Sequence, residues 1–261
     1  MITTVINSFK GGTTKTTTAL HLGAALAKFH NKKVLLIDFD SQANLSTGLG
    51  IGCDCLGTMV PVLQGEKEMG EVIQETNVPG LSIVPANTYL DGLERTNPIM
   101  SDPYNQERLR KSLHGLEFDY CFIDVPPSLA WLTLSAYFAS DLSLLAITPE
   151  PYSMLALNRL AKFHKMITEN HPIKLVGILL ALWDTRTATN RAFTEEIEEL
   201  YPDMLFNTRV RRDVSVSRAI LQGKCVFDAF PKSRVVDDFK ELALEFLEKC
   251  SLLQVEKEVV S

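Results

Sequence analysis

The residues able to do chemistry are concentrated in three short stretches. The first is Lys10-Gly11-Gly12-Thr13-Thr14-Lys15-Thr16-Thr17. It follows an apolar, β-branched run over 2–9 and precedes a helix-period run over 16–29, with Leu20, Ala24, Ala27 and Phe29 on its apolar face. A glycine-containing loop between strand and helix can wrap an anion with its backbone N–H groups, and the helix start adds unpaired donors and a positive dipole end. Lys15 would then lie against the β- and γ-phosphates of a nucleotide, and Thr16 would offer its hydroxyl to Mg2+. The second stretch is Asp38-Phe39-Asp40-Ser41-Gln42-Ala43-Asn44. Two carboxylates at the exit of an apolar strand can orient water or help hold hydrated Mg2+. The third is Phe122-Ile123-Asp124-Val125-Pro126-Pro127-Ser128, where Asp124 ends an apolar strand and two prolines stiffen the adjoining segment. Each stretch alone could be an ordinary turn; all three at strand ends point to one phosphate- and Mg2+-binding site.

Apolar runs at 34–37, 81–84, 120–123, 142–147 and 175–182 read as strands buried on both faces. Amphipathic segments at 103–113, 131–139, 153–167 and 191–200 read as helices between them. That alternation predicts an α/β fold, a mostly parallel twisted sheet with helices on both faces, and ligands at the carboxyl ends of the strands. The 261 residues fit one large domain spanning 1–261. A net charge of −6 excludes a strongly basic nucleic-acid-coating protein, so any such contact must come from a local patch. Five cysteines, an odd number, read as reduced thiols; Cys53 and Cys55 have no second Cys/His pair at zinc spacing. With no secretory signal and no run long enough to span a bilayer, the expected location is cytoplasmic.

The loop departs from the general phosphate-loop pattern, because Thr14 stands where G-x-x-x-x-G-K-S/T has glycine. It fits the variant K-G-G-x-x-K-S/T in full, and on these motifs the sequence resembles the ParA/MinD family of deviant Walker A ATPases. The resemblance implies a P-loop ATPase using ATP and Mg2+, with Lys10, Gly11, Gly12, Thr13, Thr14, Lys15, Thr16 and Thr17 binding nucleotide. It implies that Lys10 reaches the phosphates of the other subunit in an ATP-dependent homodimer. Residues 38–44 resemble D-x-D-P-Q-x-N, with Ser41 for proline; Asp40 then positions the attacking water. Residues 124–128 agree with D-x-P-P-S, so Thr16, Asp38 and Asp124 form the expected metal set. Family members usually have glycine at Thr14. Residues 210–213 resemble I-P-R-N, with Arg211 for proline, which places base contacts there and adds Arg212 to the nucleotide set.

Arg209, Arg211, Arg212, Arg218, Lys224, Lys232 and Arg234 cluster in an otherwise acidic chain. Resemblance to small ParA proteins implies nonspecific DNA binding, with Arg211, Arg212, Arg218, Lys224 and Arg234 as contacts. It also implies a ParB-type centromere-binding partner that stimulates hydrolysis and release, and nucleoid association when ATP is bound. The family often has an acidic residue at the place of Arg218. No separate DNA-reading domain is expected before the loop. The alternative is a MinD-like membrane-cycling or cargo-positioning ATPase, which calls for a basic amphipathic helix at the end of the chain. Residues 239–261 instead carry Glu241, Glu245, Glu248, Glu256 and Glu258 against Lys240, Lys249 and Lys257. A nitrogenase iron-protein reading needs a cluster-bridging cysteine pair, for which Cys121 and Cys225 are poorly placed. A small-carboxylate kinase on the same loop is disfavoured by analogy only.

Overall fold

A computed structural model describes residues 1–8, 12, 14–52, 57–95, 102, 104–150, 153–184 and 188–260. Among the described residues eight strands form one sheet: β1 (Ile2–Asn7), β2 (Val34–Asp38), β3 (Gln74–Glu75), β4 (Leu81–Val84), β5 (Tyr120–Asp124), β6 (Leu142–Ile147), β7 (Lys174–Trp183) and β8 (Leu205–Arg211). Their spatial order is β3-β4-β2-β5-β1-β6-β7-β8, parallel throughout except for the antiparallel β3–β4 edge. The helices are α1 (Lys15–His30), α2 (Asn44–Gly48), α3 (Met59–Gln64), α4 (Leu90–Arg95), α5 (Arg108–Ser112) and α6 (Trp131–Phe138). They continue with α7 (Ser153–Thr168), α8 (Ala188–Leu200), α9 (Val214–Leu221), α10 (Val226–Ala229) and α11 (Val235–Val260).

Strand alternation divides the core between the two faces of the sheet. Val34, Leu36 and Phe122 pack with Leu22 and Leu26 of α1 and with Phe239 and Phe246 of α11. Leu35, Ile37, Cys121 and Ile123 point the other way, toward Leu109, Leu132 and Tyr137. Both faces are therefore dry, which is why the strands read as continuous apolar runs. The register places Asp38 opposite Asp124, and Ile6 opposite Asp124 on the other side. With neighbouring strands about 4.8 Å apart, the exits of β2, β5 and β1 form one ledge.

The fold class and the expected strands hold, with differences at the edges. The helix expected over 103–113 is a 3-10 turn at Asn105–Glu107 followed by the short α5. The sequence reading missed β3 and β8. In β8, Asn207, Thr208 and Arg209 interrupt the apolar pattern because this is an edge strand. Its exposed donors are capped from α11: Glu245 accepts the Asn207 and Thr208 N–H groups at 2.7 and 2.8 Å, and Asp238 accepts the Arg211 N–H at 2.9 Å. Acidic residues of α11 thus block an edge that would otherwise invite strand pairing.

One buried histidine ties the loop helix to the far end of the chain. His21 Nδ1 donates to the Thr17 carbonyl at 2.9 Å, and Nε2 accepts the Val226 N–H at 3.1 Å. Its ring stacks on Phe239 with centroids 4.7 Å apart. Burial, partly opposed by the Thr17 carbonyl, lowers its pKa to about 4. The folded value lies below the unfolded one, so the neutral ring's contribution is present above pH 6.5 and is lost as pH falls toward 4. His21→Gln should be less stable than the parent at pH 7 in urea unfolding. The gap should narrow by about 1 kcal/mol per pH unit below 6.5. A gap that does not change with pH would rule out this titration.

Candidate nucleotide site at the strand ends

Asn7, the last residue of β1, fixes the loop's exit. Its Oδ1 accepts the Ser8 N–H at 2.6 Å, and its Nδ2 donates to the Tyr137 hydroxyl at 3.2 Å. Lys10, Gly11 and Thr13 lie outside the described residues. Gly12 and Thr14 both have positive φ, 77° and 71°. For β-branched Thr14 this left-handed geometry costs on the order of 1–3 kcal/mol, a strain that glycine would not carry. Thr14 N-caps α1 without a side-chain cap, so the first amides of the helix keep their donors for an anion.

Lys15 opens α1 and is buried, 7% exposed. Burial lowers its pKa, opposed by the nearby Asp124 and Asp40 charges. Asp124 is fully buried, and no hydrogen bond of good geometry reaches either carboxylate oxygen, although the Thr16 hydroxyl is close enough to interact with it. Burial first, and then the Asp38 charge, push its pKa up to about 8 against the lowering by the Thr16 hydroxyl and Lys15. A buried carboxylate without such a bond, beside a threonine hydroxyl, fits Mg2+, which takes one or two carboxylates and completes its shell with phosphate and water. Among the described residues no group of three or more His, Cys, Asp or Glu could hold a metal by itself.

Asp38 is differently employed. Its Oδ2 accepts both the N–H and the hydroxyl of Ser46, at 2.9 and 2.7 Å, and its Oδ1 accepts the Asp40 N–H at 3.3 Å. It braces the turn into α2. Burial, opposed by Ser46, raises its pKa to about 6. Asp40 is partly exposed, accepts the Gln42 N–H at 3.0 Å and acts electrostatically on both Lys15 and Asp124. It therefore lies within electrostatic reach of Lys15 and Asp124.

A cleft of about 830 Å3 runs from Gly12, Thr14, Lys15, Thr16 and Thr17 to an apolar end at Leu182, Val210, Val216 and Ile220. Its walls are α2, through Thr47 and Gly48, and α9, through Ser217 and Leu221. The volume is within the range of small-molecule sites. Sequence reasoning missed both walls. Asn44, which lines the cleft, was within reach because it ends the second motif; Val216 and Ile220 carry no motif at all. The 210–213 segment divides. Val210, Arg211 and Asp213 line the cleft, whereas exposed Arg212 lines a neighbouring cavity of about 220 Å3 with Thr148, Glu150 and Asn190.

A family profile described as "AAA domain" matches residues 1–176. The "ParA family protein" of Chlamydia muridarum is 47% identical over 249 residues, covering 95% of this chain and 98% of that one. The chain belongs to the ParA family. The "Sporulation initiation inhibitor protein Soj" of Bacillus subtilis is 33% identical over 246 residues, covering 92% of this chain and 96% of its own. Among solved structures, cobyrinic acid a,c-diamide synthase of Mycobacterium smegmatis, with bound ATP analogue and magnesium, superposes with a TM-score of 0.81. It is 27% identical, covering 93% of each chain. These matches support a ParA-type partitioning ATPase on a P-loop fold.

The basic residues of this ParA family member are unequally free. Arg211 grips Asp238 through Nε at 2.9 Å and donates to the Arg234 carbonyl at 3.0 Å. Exposed Arg218 lies over the Phe230 ring, 5.7 Å from its centroid. Lys224 and Arg234 are at the surface, each with an acidic neighbour, Asp228 and Asp213 respectively. Among the described residues no helix is long and apolar enough to cross a membrane.

Proposed function

We propose that this protein is an ATP-driven DNA-partition switch. The observation that carries the reading is the convergence of Asp40 and buried Asp124 on Lys15, which lines a cleft whose far wall, α9, bears Arg218. ATP binds with its phosphates on residues 10–17. Thr16 and Asp124 would hold Mg2+, which supplies charge neutralisation at the phosphates, and Asp38 braces the loop beside them. Asp40 orients the attacking water. Lys10 reaches the phosphates of a second copy, so that ATP closes a homodimer. The dimer binds DNA without sequence preference through Arg212, Arg218, Lys224 and Arg234. Arg211 contributes less, because Asp238 already neutralises it. A ParB-type centromere-bound partner stimulates hydrolysis and releases the dimer, which cycles between nucleoid and cytoplasm. A membrane-cycling role fits less well, because α11 is acidic and Glu245 and Asp238 are committed to β8.

The test is DNA binding with ATP, ADP or no nucleotide across a salt series, read alongside oligomeric state. One subunit of a chain with net charge −6 offers a modest patch, and dimerisation couples two. Binding should need ATP, ignore sequence and weaken steeply with salt. Arg218→Glu should weaken DNA binding about tenfold and flatten the salt slope, while the ATP dimer persists. A variant that dimerises normally and holds DNA as tightly as the parent at every salt concentration would remove Arg218 from the interface.

A further inference from the structure

The two walls of the nucleotide cleft touch at a pair of glycines. Gly50 follows α2 and Gly223 follows α9, with φ of 78° and 63°. Their backbones are in direct contact. A Cβ built on Gly223 would stand 2.7 Å from the Gly50 Cα and 3.1 Å from its N, and one built on Gly50 would stand 3.3 Å from the Gly223 carbonyl oxygen. No side chain fits between them, so neither wall can move toward the other without displacing it.

Each wall is rigidly tied to something else. On one side, α2 is anchored through Ser46 to Asp38, next to Asp40. On the other, Gly223 closes the turn after α9: its N–H donates to the Ile220 carbonyl at 2.9 Å, and the Lys224 N–H donates to that of Ala219 at 3.1 Å. Arg218 and Lys224 flank this turn at the surface. The turn is held from a second side by His21 of α1, through the Val226 N–H.

We infer that the Gly50–Gly223 contact is the coupling point through which the nucleotide sets the position of the basic turn carrying Arg218 and Lys224. The inference rests on the ATP and DNA reading above and adds a route to it. A nucleotide between Thr47 and Gly48 on one wall and Val216 and Ser217 on the other sets their spacing. The incompressible glycine contact passes that spacing to the turn at 222–224. A coupling needs a differential interaction between two states, and here the nucleotide lies between the two elements that meet.

Asparagine tolerates positive φ, so Gly223→Asn adds a Cβ with little backbone strain and separates the contact from the conformation. Gly65 supplies the control: its φ is 77° and a Cβ there meets nothing within 4 Å. Parent, Gly223→Asn, Gly50→Asn and Gly65→Asn are compared by hydrogen exchange of amides 214–224 and by DNA affinity. Each is measured without nucleotide and with a non-hydrolysable ATP analogue at concentrations that saturate that variant. In the parent and Gly65→Asn, the analogue should slow exchange over 214–224 and raise DNA affinity about tenfold or more. In Gly223→Asn both responses should fall to within about twofold of none, with a partial loss in Gly50→Asn, whose added atom is less crowded. Gly50→Asn carries the test if Gly223→Asn does not fold. Parent-like responses in the folded glycine variants would overturn the inference while leaving the functional reading intact. A parent that bound nucleotide and slowed exchange but ignored DNA would instead sink the DNA reading and leave the coupling standing.

Discussion

Asp124→Asn is expected to raise the melting temperature of the nucleotide-free protein while removing ATP hydrolysis. The carboxylate is fully buried, no hydrogen bond of good geometry reaches either oxygen, and its pKa is pushed up to about 8. The folded value lies above the unfolded one, so its favourable contribution is complete below about pH 4 and is lost as pH rises through 8. Near pH 7 the group opposes folding by on the order of 2–4 kcal/mol. The neutral amide removes most of that, giving roughly 5–10 °C in Tm for a chain of this length. The same change deletes the carboxylate that would hold Mg2+, and hydrolysis should fall about a hundredfold or more. Stability given up for a functional charge is a common trade. Scanning calorimetry and phosphate release measure the two effects. The assignment fails if the variant is no more stable at pH 7 and hydrolyses ATP at the parent's rate. A gain that vanishes at pH 4 would identify ionisation as its cause.

The second large effect separates binding from turnover. Lys15→Ala should weaken ATP binding about a thousandfold, because it deletes the buried ammonium proposed to lie against the phosphates. Asp40→Ala should leave binding and dimerisation intact and slow hydrolysis about a hundredfold, since the loop donors remain and only the proposed orienter of water is lost. Isothermal titration with ATP, sedimentation and single-turnover hydrolysis distinguish the two. If Asp40→Ala turns over like the parent, Asp40 does not orient water. Lys10→Ala extends the series: it should keep monomer binding but lose the ATP dimer, whereas equal loss of monomer binding in both lysine variants would place Lys10 in its own subunit.

Much of this protein was determined by its sequence alone. The strands at 34–37, 81–84, 120–123, 142–147 and 175–182 are short-range patterns of burial, and each is a strand in the fold. The three motifs could be read as one site because a parallel sheet brings successive strand exits to the same edge. Loop, helix and carboxylate identities are local properties, and local properties survive in a single sequence.

Contacts between distant residues decided the rest. Asp38 and Asp124 look equivalent in sequence, each ending an apolar strand. Ser46 satisfies the first with two short hydrogen bonds, whereas no hydrogen bond of good geometry reaches the second. Arg211 and Arg218 are both basic, but Asp238 takes the first into a bidentate pair 27 residues away along the chain. The glutamates of α11 carried a net-charge argument in the sequence; in the fold Glu245 caps an edge strand that the sequence reading missed. His21 meets Val226 across 205 residues, and Gly50 of one wall meets Gly223 of the other. Periodicity and motif spacing carry no record of such pairings, because they arise only when the sheet's register and the helices' packing bring the partners together.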